Sequence, residues 1–202
     1  MADSTAPGGA ATRWLETSRG LLSYAQLAPL LAERVLRVQQ RIEAGVFEGA
    51  PLDEELLRQM HGEFSGDLVP EWSGRRRTIA VRVGAHEPPA PHEVPLRMRD
   101  YVLDLAVRLD ASTQSEDLVR TLAFAEGRLL TIHPFADFNG RVTRLWLWEL
   151  LRRLRLPPVD LVPSAAGTAD YLAALRAADA CDFRPLTTIW TERLAQAVIP
   201  PE

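Results

Sequence analysis

The sequence contains no lysine; all 23 of its basic residues are arginine. That absence removes the lysine amine both as a catalytic nucleophile and as the cation of a P-loop, and with it several ways of handling phosphate. An arginine bias of this kind follows most simply from the codon usage of a GC-rich bacterial genome. Cysteine is nearly absent too: Cys181 stands alone, which excludes an intrachain disulfide and fits a reducing compartment. There is no excess of positive charge, the net being −4, so a general nucleic-acid binder is not expected. No apolar run approaches the length of a membrane span, and the start lacks the basic-then-apolar order of a signal peptide, so no membrane partner is expected. The expected location is the cytoplasm, or a host cell into which the protein is delivered, because many export signals leave no trace in composition.

What is present is an ordinary globule. The 202 residues, 47% hydrophobic and 25% charged, suit one domain with a real core. Residues 1–12 are mostly small and polar and read as a disordered tail. Beyond them the apolar residues recur with a helical period. Leu31, Val35, Val38 and Ile42 share one face; Leu56, Leu57, Met60 and Phe64 share another behind the cap Asp53; Val94, Met98, Tyr101, Leu105 and Leu109 form a third. Ser115, with Glu116 and Asp117 behind it, opens a helix carrying Leu118, Leu122, Ala125 and Leu129. A further helix should start near Gly140 and stop by Pro157, with others from about Thr168 to Asp179 and from Pro185 to Ala197. Thr78–Val83 breaks the pattern and reads as a short strand pair or hairpin flap. The expected class is all-α with one small β element.

The chemistry is concentrated in His133-Pro-Phe-Ala-Asp-Phe-Asn-Gly-Arg-Val-Thr-Arg144, between two of these helices. His133 has the side chain best suited to proton abstraction near neutrality. Asp137 offers the hard oxygen that Mg²⁺ accepts beside substrate phosphates. Asn139 and Gly140 fall where a helix begins, and unpaired N–H groups there attract anions. Arg141 and Arg144, three apart, share the first turn and can both reach phosphate oxygens. Either arginine alone would be an ordinary solvated residue; the coincidence of base, acid, amide, glycine and two arginines at one helix start has no packing explanation.

This segment resembles the signature of the Fic family, His-Pro-Phe-x-(Asp/Glu)-Gly-Asn-(Gly/Lys)-Arg-x-x-Arg, at His133, Pro134, Phe135, Asp137, Asn139, Gly140, Arg141 and Arg144. Trp72-Ser-Gly-Arg-Arg-Arg77 is similar to the family's entry to its flap, and Leu56–Phe64, with His61, to the helix before it. The resemblance implies a Fic-type helical bundle with a small β-hairpin flap over residues 50–202, preceded by an N-terminal helical extension at 13–49 with a regulatory role. It also implies a protein nucleotidyltransferase that uses ATP or another nucleoside triphosphate with Mg²⁺. In that scheme His133 deprotonates a Ser, Thr or Tyr hydroxyl of a protein substrate and Asp137 holds Mg²⁺. Phe138, Asn139 and Gly140 contact the phosphates, Arg141 and Arg144 stabilise the departing pyrophosphate, and Arg77, Thr78, Ile79, Ala80 and Val81 of the flap align the target strand.

Two departures bear on function. Phe138 replaces the usual glycine. Its ring could pack into the core, reshape the phosphate pocket or obstruct ATP, which leaves open both the donor and a non-catalytic, partner-binding alternative. The family's inhibitory glutamate has only near matches, Glu43 in Gln39–Ala44 and Glu192 in Thr188–Arg193; otherwise a separate antitoxin-like protein would supply it. His86 and His92 lack metal-ligand spacing, and His61 reads as a helix residue near the flap.

Overall fold

A computed structural model describes residues 13–112 and 114–198; the tail expected at 1–12 lies outside the described residues. Among those described, the chain runs β1 (Trp14–Thr17), β2 (Gly20–Ser23), α1 (Tyr24–Glu43), α2 (Glu54–Ser65), α3 (Val94–Ala111), α4 (Ser115–Ile132), α5 (Asn139–Arg153), α6 (Thr168–Asp179) and α7 (Arg184–Val198). The all-α expectation is met, and the helices fall where the apolar periodicity placed them. Ser23 and Gln26 form a capping box on α1, and Asp53 accepts from the Leu56 N–H at 3.0 Å to start α2. No helix among the described residues is long and apolar enough to cross a membrane.

Helix α4 is the central element, packed against α3, α5, α6 and α7, while α1 lies across α2 and α5. Gly127 explains how α6 and α7 come so near α4. A Cβ there would sit 2.7 Å from Leu186 Cδ1 and 2.9 Å from Ala178 Cβ, so the roughly 1 kcal/mol that a mid-helix glycine costs is offset by close packing. The largest polar side chains around α4 are paired in the core. Trp146 Nε1 donates to the Tyr101 hydroxyl at 2.8 Å, and buried Glu126 accepts from Tyr171, Trp190 and Arg193 at 2.7, 2.8 and 2.9 Å. These contacts fix the helices that carry the residues on either side of the 133–144 segment.

The β element is not where the sequence placed it. Thr78–Val83 forms no strand; a single bridge, Val83 to His86, is all the pairing it has. Its apolar residues have no second layer to cover, Ile79 being 60% exposed, so the alternation that suggests a strand produces only an irregular segment with a bend at Ile79. The hairpin is instead at 14–23, inside the stretch expected to be wholly helical. Thr17 turns the chain there, donating to the Gly20 carbonyl and accepting from the Arg19 N–H, and Gly20 takes φ 88°, which glycine adopts without strain.

Candidate active site

The segment from His133 to Phe138 is a loop bracketed by two left-handed residues: His133, with φ 51° at the end of α4, and Phe138, with φ 63° before α5. Each costs about 1–2 kcal/mol in a residue with a Cβ, so the surroundings must hold them. Asn139 staples the loop, its side chain accepting from the Phe135 N–H at 3.0 Å and donating to the Phe135 carbonyl at 2.9 Å. Arg77 donates to the carbonyls of His133 and Pro89 at 2.7 and 2.5 Å and, through its backbone, to that of Pro134 at 2.9 Å. His61 holds the far end: Gly74 N–H donates to its Nδ1 at 3.0 Å, so the proton is on Nε2, which donates to the Asp137 carbonyl at 3.1 Å. Its ring stacks on Phe135, with centres 4.0 Å apart.

Held this way, the loop turns its chemistry to one side. His133 Nδ1 lies 3.1 Å from the Leu130 carbonyl, an acceptor only, so Nδ1 carries the proton and Nε2 keeps its lone pair. Burial lowers its pKa from 6.5 to about 4, which leaves the imidazole neutral at physiological pH. Asp137 is buried as well; burial raises its pKa while the Arg13 charge and the Phe138 amide pull it back. The Phe138 N–H donates to one of its oxygens at 2.7 Å and Arg13 pairs with the other. At the start of α5 the first backbone bonds run from Arg141 and Val142 to the Phe138 carbonyl, and the N–H groups of Asn139 and Gly140 have no partner among the described residues. A Cβ on Gly140 would meet nothing within 4 Å, so the space beside these amides is open.

Arg141 donates to the Tyr24 hydroxyl at 2.8 Å, and its guanidinium lies 5.5 Å from the centre of both the Tyr24 and the Phe138 rings. Arg144 has no hydrogen-bond or ion-pair partner among the described residues. Burial, with the Arg141 charge, lowers its pKa, and the side chain is half-buried. A cavity of about 170 Å³ opens beside His133, lined among others by Val83, Gly84, His86, Leu172, Leu175 and Asp179.

His133, Asp137, Gly140, Arg141 and Arg144 thus lie on one loop and the first turn of α5, and the structure reassigns other expected site residues. Phe138 takes the first of its three open outcomes: the ring is 1% exposed, within 5.3 Å of Trp72, 6.1 Å of Phe64 and 6.2 Å of His61 between ring centres. The Asn139 side chain is spent on the loop, leaving only its backbone N–H for an anion. Arg77 is 3% exposed and braces the loop, so it offers no surface to a target, whereas Thr78, Ile79 and Ala80 are exposed. Glu43 is exposed at the far end of α1 and bonded to Gln39 at 3.1 Å. It lies 19 residues along the helix from Tyr24, roughly 28 Å at 1.5 Å per residue, and does not reach either signature arginine. Glu192 is exposed on α7.

Four residues that sequence reasoning set aside or did not name belong to the site. His61 had a visible signal, being a polar side chain on the apolar face of Leu57 and Phe64. His86 is held by Asp179 and the Thr131 carbonyl at 2.9 and 3.0 Å, and lines the cavity beside His133. Arg13 and Tyr24 gave no local signal, because their partners are 124 and 117 residues away.

Comparison with known proteins places the chain in a family. The model of the Fic/DOC family matches residues 51–151. A protein named protein adenylyltransferase fic-1 from Caenorhabditis elegans is 37% identical over 129 residues, 64% of this chain and 24% of its own length. Protein adenylyltransferase Fic from Drosophila grimshawi is 33% identical over 146 residues, 71% of this chain and 29% of its own. The chain thus spans about a quarter of these relatives. Among solved structures, the BepC effector protein of Bartonella tribocorum, crystallised with AMPPNP, superposes with TM-score 0.70 at 16% identity, covering 89% of this chain and 91% of that one. The N-terminal Fic domain of a Bartonella sp. AR 15-3 effector gives 0.72 at 17% identity, covering 98% and 94%.

Proposed function

Because the chain belongs to the Fic/DOC family, we propose that it transfers a nucleotide monophosphate, with AMP the leading group, from a nucleoside triphosphate to a Ser, Thr or Tyr hydroxyl of a target protein. The observation that carries this reading is the loop and first turn of α5, where a neutral histidine with a free Nε2 is followed by two open helix-start amides and a half-buried arginine with no partner among the described residues: a base and an anion site in one segment. His133 Nε2 takes the proton of the target hydroxyl as its oxygen attacks the α-phosphorus. The new P–O bond forms as the bond to the β-phosphate oxygen breaks, and pyrophosphate leaves with the electron pair. Arg141, Arg144 and the amides of Asn139 and Gly140 face the charge that builds on the phosphates, and such prearranged charge is the main catalytic device in this chemistry. That these relatives are protein adenylyltransferases supports AMP as the transferred group.

The donor set fits Mg²⁺. The outer oxygen of Asp137 already faces a cation, the Arg13 guanidinium, so the position favours positive charge. Among the described residues no cluster of three His, Cys, Asp or Glu side chains could hold a metal alone, and Mg²⁺ is commonly held by one carboxylate with phosphate and water oxygens. Bound there, Mg²⁺ would neutralise phosphate charge. Residues 78–82 donate no backbone hydrogen bond among the described residues, and these free N–H groups suit alignment of a target segment by backbone pairing.

The test is incubation with each labelled nucleoside triphosphate in turn. The protein should label itself or a protein in a lysate from ATP, and His133→Ala should remove the label. No His133-dependent labelling from any donor would sink the reading.

A further inference from the structure

The hairpin β1–β2 enters the site from outside the family-matched region. Across its open end the Tyr24 N–H donates to the Arg13 carbonyl at 2.7 Å, so the two side chains are presented together. Arg13 pairs with the outer oxygen of Asp137; the Tyr24 hydroxyl accepts from Arg141 at 2.8 Å. Between them the Tyr24 ring lies 5.4 Å from the Arg13 guanidinium and 5.5 Å from that of Arg141. Burial keeps the Tyr24 hydroxyl protonated, so it meets Arg141 as a neutral oxygen. Each contact copies what a bound nucleotide would bring: a cation against Asp137 and an oxygen against Arg141.

We propose that residues 13–24 form an autoinhibitory arm whose Arg13 and Tyr24 occupy the cation and phosphate-oxygen positions of the site. A nucleoside triphosphate and its divalent cation must displace both side chains to bind. The proposal rests on the nucleotide reading above. The arm is a poor structural strut at its open end: Arg13 Nη1 is buried with no partner among the described residues, a cost that a fully satisfied pair would not carry. The hairpin backbone is anchored by the core residue Leu15, by the start of α1 and by the Ser18 N–H bond to the Leu68 carbonyl at 2.8 Å, so what must move is the Arg13 guanidinium and the Tyr24 side chain rather than the whole arm. The arm also takes up a signature arginine that Glu43 and Glu192 leave untouched.

Displacement lowers apparent affinity by the fraction of molecules with the arm open. In the full chain, Arg13→Gln removes the charge while keeping a donor for Asp137, and Tyr24→Phe removes the oxygen while keeping the ring. Calorimetry with Mg²⁺ and a non-hydrolysable ATP analogue should show each variant binding tighter than the parent, by about tenfold for a closed arm populated at about nine in ten. A second readout uses no nucleotide: Mg²⁺ alone should raise the melting temperature of Arg13→Gln more than that of the parent or of Tyr24→Phe. Binding unchanged or weakened in both variants overturns the arm, since Arg13 and Tyr24 would then be struts or substrate contacts. An equal Mg²⁺ shift in parent and Arg13→Gln overturns the claim on the cation position. Absence of analogue binding in parent and variants alike sinks the nucleotide reading itself, and the arm with it.

Discussion

Replacing Phe138 separates the two things this residue does. Its ring is fully buried among His61, Phe64 and Trp72, while its backbone stands at φ 63° and ψ 16°. Truncation to alanine removes the ring and keeps the Cβ in the left-handed region; by analogy with other buried phenylalanines it should cost about 3–5 kcal/mol. Truncation to glycine removes the ring too but releases the left-handed strain, worth about 1–2 kcal/mol. Against that gain stands the larger freedom of glycine in the unfolded chain, about 0.4–1 kcal/mol. The difference leaves Phe138→Gly about 1 kcal/mol more stable than Phe138→Ala. The smaller residue should therefore be the better tolerated, opposite to the order expected at a helical or extended position.

Urea denaturation of the two variants at one pH measures the difference as a shift in midpoint. If alanine is equal to or more stable than glycine, the left-handed backbone at 138 is wrong, and with it the direction in which the Asn139 and Gly140 amides face. The same pair bears on function. With the ring inside the core rather than on the phosphate side, Phe138→Gly should keep His133-dependent labelling with the parent's donor preference. A switch of donor would mean that the ring shapes the pocket after all.

Gly140→Ala should leave stability unchanged or raise it by up to about 1 kcal/mol, since its Cβ meets no atom and the helix gains a better former, yet it should abolish binding of the triphosphate analogue by calorimetry. Arg77→Ala leaves the carbonyls of His133 and Pro89 unpaired in the interior and should cost about 3 kcal/mol or more, seen as a lower melting temperature with labelling lost. His61 and His133 are both lowered by burial from 6.5 to about 4, so above 6.5 neither state binds a proton at them and they add no pH dependence. As pH falls from 6.5 to about 4 the unfolded chain takes up protons that the folded one refuses, so stability should fall across that window. His61→Asn should flatten this slope in denaturant midpoints; an unchanged slope would mean that His61 is not held neutral.

The helices were legible because each buries one face, and a 3.6-residue period is a local property that no distant contact can hide. Leu31 to Ile42 and Leu56 to Phe64 are read from the sequence and found buried in place. The strand was misplaced for the converse reason. Ile79 and Val81 alternate correctly, but a strand also needs a partner and a covered face, and sequence alternation reports neither. The hairpin at 14–23 gave little signal because it is only four residues a side. In the site, local chemistry was legible and its wiring was not. His133, Asp137, Arg141 and Arg144 declare themselves by type and spacing. Whether a side chain faces ligand or loop depends on acceptors elsewhere, which is how Asn139 and Arg77 came to be read as contacts when they are braces.

That division decides which part of the site can move. The two left-handed residues together cost about 2–4 kcal/mol, a sum that must be offset for the loop to hold its shape before any substrate arrives. The offset comes from the core side: the Asn139 staple, the Arg77 fan, the His61 bond to the Asp137 carbonyl and the Phe138 ring in its aromatic cage. None of these groups needs to change when an anion binds, because each is committed to backbone or to packing. On the open side the commitments are different. Asp137 and Arg141 are satisfied by residues 13 and 24, where Arg13 Nη1 is a buried donor with no partner among the described residues, and Arg144 has no hydrogen-bond or ion-pair partner among the described residues. The rigid half therefore sets the geometry of the base and the helix-start amides, and the exchangeable half decides when a nucleotide can use it. A substitution in the first half should lower stability first, whereas one in the second should change affinity while leaving the fold intact.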